Sequence, residues 1–90
     1  MARPRFSAAF GIVVRRHRAR LNISQEALAE DAEVHRNYIG MVERGECAAT
    51  LDVACAVARG LDVPMETLIA ETLAEFKASS APTKRRRPRR

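Results

Sequence analysis

The chain has no tryptophan, one tyrosine and three phenylalanines in 90 residues, so aromatic side chains make up only 4% of it. A core of small aliphatic side chains follows, and abundant alanine favours closely packed helices. Two cysteines, Cys47 and Cys55, are too few for a disulfide framework and lack the CxxC-and-His spacing of a zinc site. A reducing cytoplasm is the expected setting, with no metal or cofactor. No apolar run approaches the roughly 18 residues that a membrane span needs. The opening MARPRFSAAFGIVVRRHRAR is basic and then apolar, as a secretory leader would be. Its apolar run stops after about seven residues, at Arg15 and Arg16, so it reads as a helix of the folded domain. No segment carries a strand signal, and the chain is too short for the two-layer architectures that house most enzymes. The expectation is one all-α domain that is not an enzyme.

Charge is abundant and unevenly placed. Residues 1–45 hold eight arginines against five acids, residues 46–76 one arginine (Arg59) against six acids, and residues 77–90 seven cations and no acid. A basic front with a separate basic arm is the electrostatic footprint of a polyanion ligand, most often nucleic acid.

Periodicity places five short helices. Phe6, Phe10, Val13, Val14, His17 and Leu21 share one face of a helix over about 7–20, with His17 as a core histidine. Ser24 caps SQEALAEDA, whose Leu28 and Ala29 face inward. A three-residue turn leads to a third helix over about 35–44 that stops at Gly45. Thr50 caps LDVACAVAR, with Leu51, Ala54, Val57, Ala58 and Leu61 inward and Gly60 as terminator. Pro64 suits the first position of a fifth helix with Met65, Leu68, Ile69, Leu73 and Phe76 on one stripe. The folded domain is expected over 1–77, and the basic tail 78–90, without apolar periodicity, is expected to be disordered.

The third helix is peculiar. HRNYIGMVERGE carries only Ile39 and Val42 as an aliphatic stripe, opens with three large polar side chains, and accepts Gly40 in its middle, which costs about 1 kcal/mol against alanine. Two short helices joined by a three-residue turn are a helix-turn-helix arrangement. SQEALAEDAEVHRNYIGMVERGE resembles the motif of Cro/Xre-type regulators in its Ser-Gln, its Leu-Ala, a turn ending in Val, its Tyr-Ile and its Glu-Arg-Gly. TLDVACAVARGLDV is similar to their fourth helix, so the resemblance spans roughly residues 7–70. The short chain, HRNYIG and METLIAETL look most like restriction-modification controller proteins. The resemblance implies a compact five-helix, lambda-repressor-like DNA-binding domain acting as a homodimer on double-stranded DNA, with the third helix in the major groove.

The same resemblance assigns roles. Arg36 and Asn37 take the base-reading positions, where an arginine fork matches guanine and an asparagine amide matches adenine. Met41, one turn on, meets a thymine methyl. Gly40 either lets the backbone approach the groove or packs against the second helix. Gln25 is the helix-start amide that binds a phosphate, and Arg44 a phosphate-facing cation beyond the reading helix. Arg16, beside Arg15, offers a further phosphate contact. Tyr38 gives its hydroxyl to the DNA backbone or packs its ring inward. His35 is a capping or phosphate-facing group. Arg18 and Glu43 form a structural pair between the first and third helices. Leu68, Ile69, Leu73 and Phe76 are the candidates for the dimer interface, unless some of them close the core. Two departures stand out. Glu33 occupies the turn position that usually carries glycine because it needs positive φ. Cys47 and Ala48 stand where controller proteins often have Arg or Asn.

Two further binding classes fit the same residues: an antitoxin that binds DNA and masks a toxin partner, and a non-specific chromatin-like binder driven by the tail. A neighbouring toxin gene would favour the first and a restriction enzyme gene the controller reading. A Cys-His catalytic site built from His17, His35, Cys47 and Cys55 has no support in their spacing.

Overall fold

Each helix begins where a side chain or a turn supplies the partners its first amides need. The computed structural model describes residues 5–80 and contains five helices in order: α1 Phe6–Leu21, α2 Gln25–Ala32, α3 Arg36–Glu43, α4 Leu51–Gly60 and α5 Met65–Ser80. Ser24 Oγ accepts from Ala27 N–H at 3.0 Å and Thr50 Oγ1 from Val53 N–H at 3.1 Å, the expected caps. The apolar start of the chain is α1 of the folded domain. The expected disorder of the tail falls on residues 81–90, which lie outside the described range. The first three residues of that expected tail, 78–80, belong to α5.

Four of the helices end on residues in the left-handed region: Asn22 after α1, Glu33 after α2, Gly45 after α3 and Asp62 after α4, with φ of 60°, 60°, 73° and 59°. The motif-based expectation for Glu33 is thus met (φ 60°, ψ 42°), and Val34 N–H reaches back to Ala29 O at 2.9 Å to close the turn. α4 ends at Gly60, as expected. The reversal happens two positions later at Asp62, where Val63 N–H bonds Ala58 O. Gly60 is small for a packing reason: an added Cβ would stand 2.9 Å from Leu28 Cδ1.

One core joins all five helices. Val13 and Val14 of α1, Leu28 of α2, Ile39 and Val42 of α3, Val57 of α4, Leu61 just beyond it and Leu68 of α5 are fully buried together. Each such side chain contributes about 1.5–3 kcal/mol of transfer free energy. α1 lies across α3 and α5, while α2 packs on α3 and α4. Gly11 permits the α1–α3 crossing, because a Cβ there would sit 2.1 Å from the Val42 carbonyl oxygen. Leu51, expected inward, is instead 80% exposed: it is the first residue of α4, ahead of the turn that meets the core.

Polar groups bind α1 to α5. His17 is buried as expected; its Nε2 donates to Glu71 Oε1 and its Nδ1 accepts from the Arg20 guanidinium. Thr72, fully buried, satisfies its hydroxyl on Leu68 O at 2.8 Å. No helix among the described residues is long and apolar enough to cross a membrane.

Candidate nucleic-acid interface

The α2–turn–α3 unit is held rigidly from behind by Glu43. Its carboxylate is almost wholly buried and accepts from Arg18 Nε at 2.6 Å, Arg18 Nη2 at 3.0 Å and Gln25 Nε2 at 3.0 Å. Arg18 Nη1 also donates to Ile23 O at 3.0 Å. The expected pair is present and does more than join α1 to α3, since it also clamps the start of α2 and the loop before it. The Glu43 hydrogen bonds raise the Arg18 pKa above its ordinary value, outweighing the opposing effect of burial.

With its rear fixed, α3 presents its first turn outward. His35 is the N-cap, its Nδ1 accepting from Asn37 N–H at 3.1 Å. An imidazole nitrogen here does the work usually given to the oxygen of serine or aspartate. Of its two expected roles, the structure therefore shows the cap. Arg36 and Asn37 follow, both exposed, and Met41 stands one turn further at 37% exposure. Together with Gln25, Gly40, Arg44 and Glu46 they line one surface groove. A Cβ on Gly40 would meet Arg44 Nη1 at 3.1 Å and Gln25 Oε1 at 3.6 Å, the ends of two side chains. Packing against the α2 backbone does not require glycine at this position. What the glycine does is keep the middle of α3 low beneath two polar side chains.

Arg16 stands apart from the groove, Tyr38 takes the second of its two expected places, and Gln25 carries a further bond. Arg16 lies outside this groove: its guanidinium bonds Glu75 of α5 at 2.9 Å, because its helical position turns it toward α5. Tyr38 is half-buried against the core, with its hydroxyl at the Thr50 backbone, so it packs inward. Burial is the main cause that raises its pKa, Cys47 adds to it, and the Thr50 hydrogen bond opposes it. Gln25 is in the groove, but one amide proton is spent on Glu43.

Among the dimer candidates, Leu68 has no surface to offer, being fully enclosed in the domain's own core. Leu73 is 42% exposed, Ile69 is half-buried, and Phe76 meets the Phe6 ring edge-on with centroids 5.5 Å apart. Ile69, Phe6 and Leu51 line a second, apolar groove whose floor includes Phe10 and Ala54.

Sequence reasoning missed the acids that face Arg36 and Arg44. Glu26 Oε2 is 2.9 Å from Arg36 Nη1, and Glu46 holds Arg44 through two hydrogen bonds of 2.8 and 3.1 Å. The mutual hydrogen bond and charge lower the Glu46 pKa and raise that of Arg44. The Arg-Gly-Glu spacing after α3 was the available signal.

Comparison with known proteins places this geometry. A helix-turn-helix family profile matches residues 14–68. Control protein C.SmaI of Serratia marcescens is 43% identical over 56 residues, covering 62% of this chain and 67% of that protein. Control protein C.BamHI of Bacillus amyloliquefaciens is 38% identical over 61 residues, covering 67% and 75%. The crystal structure of the restriction-modification controller protein C.AhdI from Aeromonas hydrophila superposes with a TM-score of 0.67 at 34% identity, covering 69% of this chain and 94% of that one.

Proposed function

The chain belongs to the helix-turn-helix family, on its Cro/Xre-type branch, and from that premise we propose that it regulates transcription as a controller-type protein, binding operator DNA as a symmetric dimer with α3 in the major groove. The observation that carries the reading is the first turn of α3: Arg36 and Asn37 stand exposed together, with Met41 a turn behind them and Gln25 and Arg44 flanking. Arg36 supplies a two-pronged donor for guanine O6 and N7, and Asn37 a donor–acceptor pair for adenine N6 and N7. Gln25, at the N-terminus of α2, and Arg44, beyond α3, bracket them as phosphate ligands that set the register. The low backbone at Gly40 lets α3 settle between them.

A two-fold operator needs two reading helices about 34 Å apart. The apolar surface of Ile69, Leu73 and Phe76, continued by Phe6 and Leu51, is the surface that pairs two copies. The similarity to controller proteins favours this role over that of an antitoxin.

The test is Arg36→Ala against a deletion of residues 81–90, which removes six cations and leaves α5 intact. On a duplex enriched from a randomised library, Arg36→Ala should cost about 1–3 kcal/mol, and much less on a scrambled duplex. The deletion should weaken both alike and flatten log affinity against log salt by about 0.9 for each phosphate that the tail no longer neutralises. Equal weakening of both duplexes by Arg36→Ala would remove α3 as the reader.

A further inference from the structure

Leu51, at the head of α4, is the most exposed large apolar side chain among the described residues, 80% open to solvent. One exposed leucine is ordinary on a protein surface. This one stands on the rim of an apolar groove walled by Phe6 and Ile69 and floored by Phe10 and Ala54. Charges are set in the same pattern. Arg5 lines the groove, and Asp52 follows the leucine in the first turn of α4. Both are exposed, and neither takes part in the ion pairs among the described residues. One surface thus carries an apolar knob with an acid beside it and an apolar groove with a cation beside it.

Resting on the reading that two copies pair through this side of the domain, we propose that the contact is made at the start of α4: Leu51 of each copy fills the other copy's groove, and Asp52 meets the other copy's Arg5. A two-fold axis exchanges residues, so whatever one copy inserts it must also receive on the same patch. Knob and groove lie side by side here, and their flanking charges are opposite, which makes the patch complementary to itself. A groove built for a foreign chain would need neither the knob nor the acid next to it. The position also suits the reading of DNA. Thr50, the residue before Leu51, caps α4 and holds the Tyr38 hydroxyl at its backbone, and Tyr38 shares the first turn of α3 with Arg36 and Asn37. The pairing turn is therefore bonded to the reading turn, which ties the spacing of the two reading helices to the contact between copies.

Leu51→Ser, Arg5→Glu, Asp52→Arg and the double charge variant of the full chain are compared with wild type and Leu73→Glu by sedimentation at micromolar concentration. Thermal melts check the fold, which should be unaffected because residues 5, 51 and 52 are all exposed. Leu51→Ser should weaken the dimer about a hundredfold or more, since two buried leucines are lost per dimer. Each single charge reversal should weaken it about tenfold, and the double variant should recover. The deciding sample is an equimolar mixture of Arg5→Glu and Asp52→Arg. It should form heterodimers of near wild-type strength, because both contacts between two such copies are then complementary. Recovery in the double variant but not in the mixture would place the charge pair within one chain and overturn the proposal. Single variants that pair as wild type does would overturn it equally. If Leu73→Glu yields monomers while Leu51→Ser stays dimeric, pairing through α5 stands and only the role of α4 falls. A wild type that is monomeric with and without DNA removes both.

Discussion

Glu33 ends α2 at φ 60° and ψ 42°, exposed, and its carboxylate takes part in none of the ion pairs among the described residues. The residue therefore supplies backbone strain and no ion pair that a substitution would remove. The left-handed conformation costs an ordinary side chain roughly 1–2 kcal/mol. Glycine escapes that cost but forfeits about 0.5–1 kcal/mol through its freer unfolded chain. Removing a negative charge from a helix C-terminus returns a few tenths of a kcal/mol. The net for Glu33→Gly is about 1 kcal/mol of added stability, which for a domain of this size raises Tm by roughly 4–8 °C. Thermal unfolding followed by circular dichroism measures it, with Glu33→Ala as the control. Alanine removes the same charge yet keeps the strained φ, so it should recover only the small electrostatic part. An unchanged or lower Tm for Glu33→Gly, or an equal gain from both variants, would show that strain at this turn is not what limits stability.

Glu43→Ala should destabilise the domain by about 3 kcal/mol, because it strands a mostly buried arginine and frees the start of α2. A double cycle with Arg18→Ala, followed by urea unfolding, should return a coupling of up to about 3 kcal/mol, and a coupling near zero refutes the clamp. Tyr38 is the protein's single tyrosine, so its ionisation can be followed by phenolate absorbance without ambiguity. Its pKa is raised in the fold, so the native state keeps the proton longer than the unfolded chain, and stability should fall as pH climbs through the ordinary tyrosine range toward the raised value. A midpoint at the ordinary value would mean the ring is not packed inward. Leu73→Glu should convert dimer to monomer in sedimentation at micromolar concentration while shifting monomer stability by no more than about 0.5 kcal/mol. A wild type that is already monomeric with and without DNA would dispose of the α5 interface.

The sequence by itself determined the five helices, because caps and apolar period are local properties. Ser24 and Thr50 needed only their own next turn to be read as caps, and the stripe Phe10, Val13, Val14 needed only the 3.6-residue repeat. The resemblance to Cro/Xre-type regulators likewise implied Arg36 and Asn37 on an exposed first turn, the Arg18–Glu43 pair and Glu33 in the left-handed turn, and the fold has each of them there. Tertiary structure decided which side of each helix met which neighbour. Amphipathic period says that a face is buried but not how the partner helix crosses it. Arg16 therefore pairs with Glu75 outside the α3 groove, Leu68 lies in the core rather than at a dimer surface, and Leu51 lies in solvent rather than inward. Close approaches were equally hidden: nothing local to Gly11 announces the Val42 carbonyl against it. The carboxylate facing Arg36 comes from a different helix, as Glu26 of α2, whereas Glu46 is only two residues from Arg44. Only after the chain has folded do Glu26 and Arg36 come within range, since an exposed charge felt over ordinary solvent distances is screened within about 10 Å.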